Sequence, residues 1–363
     1  MRLRLEPRAE PSRTMKYVSP LIAAGLIFVA GFILFSALGR NPWEAFHAFF
    51  VQPVDDLNGV AELLLKASPL ILCAVGLAVG FRASVWNIGA EGQLAVGAIA
   101  AGWLALAFPE TESLLLLPAM VAAGALGGMA WAAIPAYLRT RFNANEILTS
   151  LMLVYVGVLL LSYVVHGPLK DPQGFNFPQS KEFHDAALFP LLVEGTRLNG
   201  SIFVAAAVVA AGWWFMARSF GGYTMRVAGL ADSAARYAGF SASRTVWLGL
   251  LAGGGAAGLA GVGEVAGPIG QLLPSVSPGY GFAAIIVAFV GRLHAGGIVL
   301  AGLLMSLLYL GGESAQMSLS LPSAITGLFQ GMLLFFLLGA DVFINYRVRV
   351  VRPARGAVAE AAA

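Results

Sequence analysis

The sequence has little charge and almost no cysteine. Only 11% of its 363 residues are charged, whereas about a quarter are charged in an ordinary soluble domain. The single cysteine, Cys73, lies inside an apolar run, so the chain cannot form an internal disulfide, and we interpret the thiol as a small buried hydrophobe. The 22 lysines and arginines barely exceed the 19 acids, which gives no indication of a nucleic-acid partner. The composition excludes an ordinary soluble domain.

Catalytic motifs are missing too. The four histidines are scattered over different loops, and the sequence contains no HExxH, no paired cysteines and no GxSxG. Residues 253–258 match the GxGxxG pattern of nucleotide-binding loops, but they lie within an apolar span and no Lys-Ser or Lys-Thr follows. We therefore predict no catalytic residue, no metal, no cofactor and no nucleotide site in this chain.

Apolar residues dominate the chain, at 58% with a mean hydropathy of +0.79. A bilayer core about 30 Å thick needs roughly 20 apolar residues per helix. On this basis we predict an all-α, polytopic membrane protein with about ten transmembrane helices, the eighth and ninth short. The first is too long for the apolar region of a cleaved signal peptide. The spans lie near residues 18–38, 63–80, 92–108, 114–137, 147–165, 200–216, 246–266, 281–291, 296–311 and 322–344.

Lysine and arginine accumulate on the cytoplasmic side of membrane proteins, so their distribution over alternate loops predicts the orientation. With both termini inside, the inner side holds most of the cations, including those of the tails 1–16 and 346–363 that flank the transmembrane region 17–345. The outer side keeps only a few, namely Arg40, Lys66, Lys170, Lys181 and Arg197. We therefore predict that both termini are cytoplasmic.

One polar segment, residues 218–245, interrupts the apolar spans on the predicted cytoplasmic side. Asp232 is a good helix N-cap and Gly239 a good stop. Leu230, Ala234 and Tyr237 fall at the spacing of one helical face. The pattern predicts a two-turn helix lying on the membrane surface, where a partner could contact it.

The predicted outer loop 167–198 is either a solvated connector or a docking surface for an external protein. The second interpretation is favoured by Phe175, Phe177 and Phe183, which we expect to be exposed aromatic side chains amid charges. A second irregular stretch, residues 267–281, is rich in glycine and proline. It predicts a re-entrant or surface loop.

Glycines recur at small-xxx-small spacing, which lets helix backbones approach closely in lipid. The pairs are Gly124 with Gly128, Gly249 with Gly253, Gly254 with Gly258, and Gly263 with Gly267.

Two polar clusters lie near helix ends. Asn87 and Glu91 share one helical face at the inner mouth of the third span, where they are either solvated helix-end residues or part of a hydrophilic path. Asn143 stands three residues before Glu146, close to a capping box, and we favour capping there. The acids of the apolar region, Glu264 among them, all fall near span ends, which disfavours a proton- or sodium-driven carrier.

Three stretches together resemble a known family. NIGAEGQ at 87–93, FNANEILTSLMLVYV at 142–156 and GGYTMRVAGLADSAARYAGFSASR at 221–244 are similar to permease subunits of bacterial ABC importers of the branched-chain amino acid, ribose and nucleoside type. The nucleoside and simple-sugar permeases are the most similar branch. The resemblance covers roughly residues 60 to 345.

The resemblance implies a multi-pass subunit of the bacterial inner membrane, surrounded by lipid, that pairs with a second permease subunit. An ABC ATPase carrying two nucleotide-binding cassettes would dock on the cytoplasmic side, and an extracytoplasmic binding protein or lipoprotein on the other. The candidate ATPase-coupling residues are Leu230, Asp232, Ala235, Arg236, Tyr237 and Gly239. The candidate translocation-path residues are Asn87, Glu91, Gln93 and Asn145.

The predicted substrate is a small uncharged polar solute, because asparagine, glutamine, serine and threonine are available and no arginine cluster faces the membrane interior. The resemblance favours nucleosides, with a monosaccharide or riboflavin as the alternative. A stand-alone channel or an ion-coupled carrier is the alternative from a different class.

Overall fold

The computed structural model describes residues 2–8 and 12–351, and the predicted all-α class is confirmed. Within these residues the chain forms thirteen α-helices and two short strands, β1 (Arg2–Pro7) and β2 (Tyr346–Val351). The helices are α1 (Arg13–Ala37), α2 (Pro42–Phe50), α3 (Leu57–Phe81), α4 (Ala90–Ala107), α5 (Leu116–Phe142), α6 (Glu146–His166), α7 (Ser201–Arg218), α8 (Phe220–Leu230), α9 (Asp232–Tyr237), α10 (Ala242–Glu264), α11 (Tyr280–Val290), α12 (Ala295–Leu319) and α13 (Ala324–Asn345).

Each of the ten predicted spans corresponds to one of these helices. Eight of the helices in the described residues are long and apolar enough to cross a membrane: α3, α4, α5, α6, α7, α10, α12 and α13. The apolar part of α1, Leu21–Ala37, and helix α11 are shorter. The number of spans, ten, therefore stays a prediction, as does the cytoplasmic placement of the termini.

The described residues divide into two units. One comprises the described parts of Met1–His47 and Ala315–Ala363. In it, α1 packs on α13, and β1 pairs antiparallel with β2. The sequence pattern predicts tails at these positions and does not predict the strands. Their pairing brings the two ends of the described chain together. The remaining tail residues, 1, 9–11 and 352–363, lie outside the described residues.

The second unit, Ala48–Ser314, is built around α10, which packs against α3, α4 and α5. The glycines of α10 make this possible. A Cβ added at Gly254 would come within 2.5 Å of the Gly128 carbonyl oxygen, and one added at Gly258 would collide with the Gly124 carbonyl. Two of the predicted small-xxx-small pairs therefore face each other across α5 and α10. The GxGxxG match lies inside α10, within an apolar helix as predicted.

Two other predicted glycine pairs behave differently. Gly249 approaches Gly80 of α3, with 3.0 Å between an added Cβ and the Gly80 Cα, whereas its partner Gly253 faces the Asn87 amide. Gly263 and Gly267 form no close helix contact. An added Cβ at Gly263 would meet only the Ser201 Cβ, at an ordinary 3.6 Å.

We expect Gly258→Ala to destabilise the protein by about 1–3 kcal/mol, because the methyl group has no room against the Gly124 backbone and overpacking of this size costs that much. Gly263→Ala is the matched control in the same helix. It should leave the unfolding temperature unchanged or slightly higher, because alanine favours the helix and finds space. Thermal unfolding in detergent measures both, and equal effects would contradict the close packing of α5 on α10.

Candidate functional site

A buried polar cluster lies where the chain enters α4. The Asn87 and Gln93 side chains form a reciprocal amide pair, with Nδ2 to Oε1 at 2.9 Å and Nε2 to Oδ1 at 3.0 Å. Asn87 Oδ1 also accepts the Gly89 N–H at 2.9 Å. Asn87 is only 1% exposed, so it is not a solvated helix-end residue, and that interpretation is wrong.

Glu91 is buried in the first turn of α4 and joins that helix to α11. Its Oε2 accepts the backbone N–H of Gly281 at 2.7 Å. This bond satisfies one of the amides at the start of α11, which has no partner within its own helix. The solvated interpretation is therefore wrong for Glu91 as well. A role for Asn87, Glu91 and Gln93 in a hydrophilic path stays a prediction.

Asn145, the fourth candidate path residue, caps α6. Its Oδ1 accepts the Ile147 N–H at 2.9 Å, and the residue is exposed. The predicted capping box is wrong in its residue, because Asn143 instead ends α5 in the left-handed conformation, with φ of 52°. Glu146 forms an ion pair with Arg139 at 3.3 Å. The structure therefore shows Asn145 as the N-cap of α6, and its role in a translocation path stays a prediction.

Between α10 and α11 the backbone is irregular and runs along α4. A π-helical turn, Val265–Ile269, follows α10. An added Cβ at Gly102 would lie 2.6 Å from Leu272 Cδ1, whereas Gly281 lies against Glu91. Gly102 and Glu91 are about 16 Å apart along α4, at 1.5 Å per residue. The prediction of a re-entrant segment is therefore supported over that of a surface loop.

The predicted outer loop 167–198 supplies hydrogen bonds to this irregular backbone. Ser180 N–H donates to the Leu272 carbonyl at 3.0 Å and Phe183 N–H to the Gly270 carbonyl at 2.8 Å. Phe183 is buried, so the prediction that it is exposed is wrong. Phe175 and Phe177 are exposed as predicted. The loop therefore packs against the irregular segment between α10 and α11, which we call the broken span. Its Phe175 and Phe177 side chains stay exposed.

A cluster of charged and aromatic side chains lies near the start of α3. The sequence pattern does not predict it. Arg197 contacts Glu62 with two nitrogens, each at 2.7 Å, and this bidentate contact raises the pKa of Arg197. Lys66 pairs with Glu313 at 2.5 Å. Helices α3 and α12 and the end of the outer loop supply these four side chains.

Glu264, the last residue of α10, lies in the same cluster but has no direct partner. It is 8% exposed, and its carboxylate makes no hydrogen bond or ion pair with any described residue. Lys66, Arg197 and Tyr280 are among the ionisable groups that interact electrostatically with Glu264. Tyr280 packs edge-on against Tyr309, with ring centroids 5.7 Å apart. The sequence signal was one acid in an otherwise apolar, glycine-rich helix.

The predicted coupling segment contains two helices instead of one. Ala231 is extended, with φ of −156° and ψ of 92°, and separates α8 from α9. Asp232 is therefore the first residue of α9 and not its N-cap, because Ala231 holds that position. Leu230 ends α8, so it does not share a helical face with Ala234 and Tyr237. Those parts of the prediction are wrong.

Other features of the segment agree with the prediction. Gly239 follows α9 with φ of +81°, as a helix stop requires. Ala235 is buried, whereas Leu230 and Tyr237 are 88% and 96% exposed. Arg236 lines a cavity of about 550 Å³ between this segment and two other predicted inner loops, near Ser84 and Arg139.

Helix α8 contacts the loop that leads to the buried polar cluster. Gly229 lies against the Arg82 carbonyl, where an added Cβ would collide, and Ser84 Oγ donates to the Gly229 carbonyl at 3.4 Å. Asn87 follows Ser84 by three residues. A displacement of α8 would therefore act directly on the backbone before α4.

Together these features define an all-helical, multi-pass membrane protein with a broken span and a polar helical segment that packs on the loop before α4. The chain belongs to the family described as the branched-chain amino acid transport system permease component, which it matches over residues 59–338.

Several relatives align over nearly the whole chain. The glucose ABC transporter permease protein TsgB13 of Haloferax volcanii is 36% identical over 98% of this chain and 95% of its own. The guanosine ABC transporter permease protein NupP of Bacillus subtilis is 30% identical over 92% of this chain and 94% of its own. The nucleoside ABC transporter permease protein NupB of Lactococcus lactis is 28% identical over 96% of each. The predicted family is confirmed.

We expect Asn87→Leu to destabilise the fold by about 1–3 kcal/mol for each polar group that it leaves unpaired, here the Gln93 amide and the Gly89 N–H. The double variant Asn87→Leu with Gln93→Leu should recover part of this loss, because one of the two orphaned groups is removed as well. Thermal unfolding of the four proteins of this cycle gives the coupling. Strictly additive effects would show that the pair does not stabilise the entry to α4.

Proposed function

We propose that the chain is the membrane-spanning permease subunit of an ATP-driven importer. The observation that carries this proposal is the segment α8–α9, whose apolar side chains Leu230 and Tyr237 are exposed while the helices pack on the loop before α4. Exposed large apolar side chains beside polar ones are typical of a protein contact surface. Leu230, Asp232, Ala235, Arg236, Tyr237 and Gly239 form the proposed contact with the ATPase.

The proposed complex contains a separate ATPase with two nucleotide-binding cassettes, a second permease subunit and an external binding protein or lipoprotein. It lies in the cytoplasmic membrane, with α8–α9 inside. Phe175 and Phe177, exposed in the outer loop, are the proposed contacts with the binding protein. ATP is hydrolysed on the partner, and this chain moves the solute.

The proposed solute is a nucleoside or a simple sugar. The relatives named for glucose, guanosine and nucleosides support this class without selecting one member. The cluster around Glu264 suits such a solute, because a carboxylate accepts hydrogen bonds from sugar hydroxyls and two aromatic rings, Tyr280 and Tyr309, belong to the same cluster. Asn87, Glu91, Gln93 and Asn145 keep their proposed role along the path.

An ion-coupled carrier is the second candidate. The sequence pattern disfavours it, because the acids fall near span ends. Glu91 and Glu264 do lie at helix ends, yet both are buried, and a buried acid within the spans is typical of proton or cation relays. Uptake into vesicles that contain this chain without the ATPase, driven by a pH or sodium gradient, would support this second function. Uptake that requires the ATPase and ATP supports the first.

For the coupling surface, we expect Tyr237→Ala to weaken association with the ATPase by about 2 kcal/mol, the usual effect of truncating an aromatic side chain at the centre of an interface. Leu230→Ala should act in the same direction. Co-purification with the ATPase and substrate-stimulated ATP hydrolysis measure both. Phe175→Ala is the control for co-purification with the ATPase, since this side chain is equally exposed but lies on the outer loop. Unchanged association of the Tyr237 and Leu230 variants would refute the coupling surface.

For the solute contact, we expect Glu264→Gln to reduce uptake about tenfold or more, since a hydrogen bond to a charged group contributes about 1.5–3 kcal/mol. Glu313→Gln is the matched control, because it removes an acid of the same cluster that is already paired with Lys66. Uptake of radiolabelled guanosine and glucose by the complete complex distinguishes the two solutes. Equal losses of uptake in the two variants would contradict a specific solute contact of Glu264, because they would show that only the total charge of the cluster matters.

A further inference from the structure

A cavity of about 350 Å³ lies at the end of α3 near the coupling segment, between α3, α7, α8 and the start of α12. Its polar lining has one sign of charge. Arg82 and Arg226 carry that charge, His294 adds a polar side chain, and no acid is among the described residues that line the cavity. The first residue of α12, Ala295, lines it too, which adds the positive end of a long helix. The lining is thus suited to an anion.

Among the described residues, the Arg82 side chain has no partner of opposite charge. It is half-buried, and its guanidinium makes no hydrogen bond or ion pair within the described chain. Burial, together with the nearby charge of Arg226, lowers the pKa of Arg82. Arg226 is held in place by its Nη2, which donates to the Met216 carbonyl at 2.9 Å. Two neighbouring cations, one of them half-buried, are unfavourable unless an anion lies between them.

An apolar groove of about 420 Å³ continues from this cavity between α3, α7 and α10. The two spaces are adjacent, because Val75, Val79 and Gly212 line both of them. Every residue that lines the groove is apolar, Val208 and Leu248 among them. A binding space with a cationic head and an apolar extension fits an amphiphile.

We propose that this space binds an anionic phospholipid. The phosphate lies between Arg82, Arg226 and His294, and an acyl chain occupies the apolar groove. Basic pockets between transmembrane helices are a known kind of site for acidic head groups. Trp213 lines the cavity and is partly exposed, as aromatic side chains at a membrane interface are.

The bound lipid would connect α3 to the coupling segment. Arg82 follows directly on α3, whereas Arg226 lies in α8, so one phosphate contacts both elements. Because Gly229 of α8 already packs on the Arg82 carbonyl, the lipid holds together the junction through which α8 acts on the loop before α4. We therefore expect the lipid to stabilise the chain, whether or not a partner is present.

The test uses the full chain, purified in a neutral detergent, and measures its unfolding temperature as short-chain phosphatidylglycerol is added. Phosphatidylcholine of the same chain length and inorganic phosphate are the comparison ligands. Phosphatidylglycerol should raise the unfolding temperature and saturate, whereas the other two should not. A rise with inorganic phosphate alone would replace the lipid by a free anion, and an equal rise with both lipids would overturn the head-group site.

Two kinds of variant test the two halves of the site. Arg82→Gln and Arg226→Gln should each raise the half-saturating phosphatidylglycerol concentration about fivefold, as expected for the loss of one cation near an anionic lipid. Ala211→Phe fills the groove and should weaken binding while the arginines remain. Arg141→Gln, an exposed arginine outside the cavity, is the control. Unchanged lipid affinity in the well-folded variants contradicts the proposal, and because no transport is measured, failure here leaves the proposed importer function untouched.

Discussion

The close approach of α10 to its neighbours is the constraint on which the rest of the second unit depends. In lipid no hydrophobic effect drives helices together, so contact depends on packing, and the α10 glycines let backbones meet. The same surface that receives α5 at Gly254 and Gly258 leaves room at Gly253 for the Asn87 amide. A larger residue there would displace the loop before α4, and with it the polar cluster.

This packing also explains how irregular backbone can lie at membrane depth. Unpaired peptide groups cost several kcal/mol in hydrocarbon, so a broken span needs partners within the protein. Here Glu91 supplies one for α11, and the outer loop supplies others at Gly270 and Leu272. Polar side chains that resemble functional groups in the sequence thus also have a structural task. For Asn87 and Gln93 that task is fully visible in their reciprocal hydrogen bonds.

Much of the fold could be predicted from apolar run length, because a helix must be long enough to cross the bilayer, and all ten predicted spans correspond to helices. Features that depend on tertiary contacts could not be predicted. Nothing local shows that Ala231 is extended and divides the coupling segment, or that Phe183 turns inward under the broken span. The Glu264 cluster combines residues from α3, α10, α11, α12 and a loop, so no spacing in the sequence could indicate it.

The two polar regions of the second unit differ in how well their charges are matched, and this difference indicates their roles. The amides of Asn87 and Gln93 satisfy each other, so that region is already stable without a ligand. Around Glu264, the cations Lys66 and Arg197 are each bound to another acid, which leaves one buried carboxyl group without a direct partner in the described part of the chain. A buried carboxyl group of this kind is costly to ionise unless something binds it. The region at Glu264 is therefore the better candidate for direct contact with a passing solute, whereas the region at Asn87 is better suited to transmitting the movement of α8.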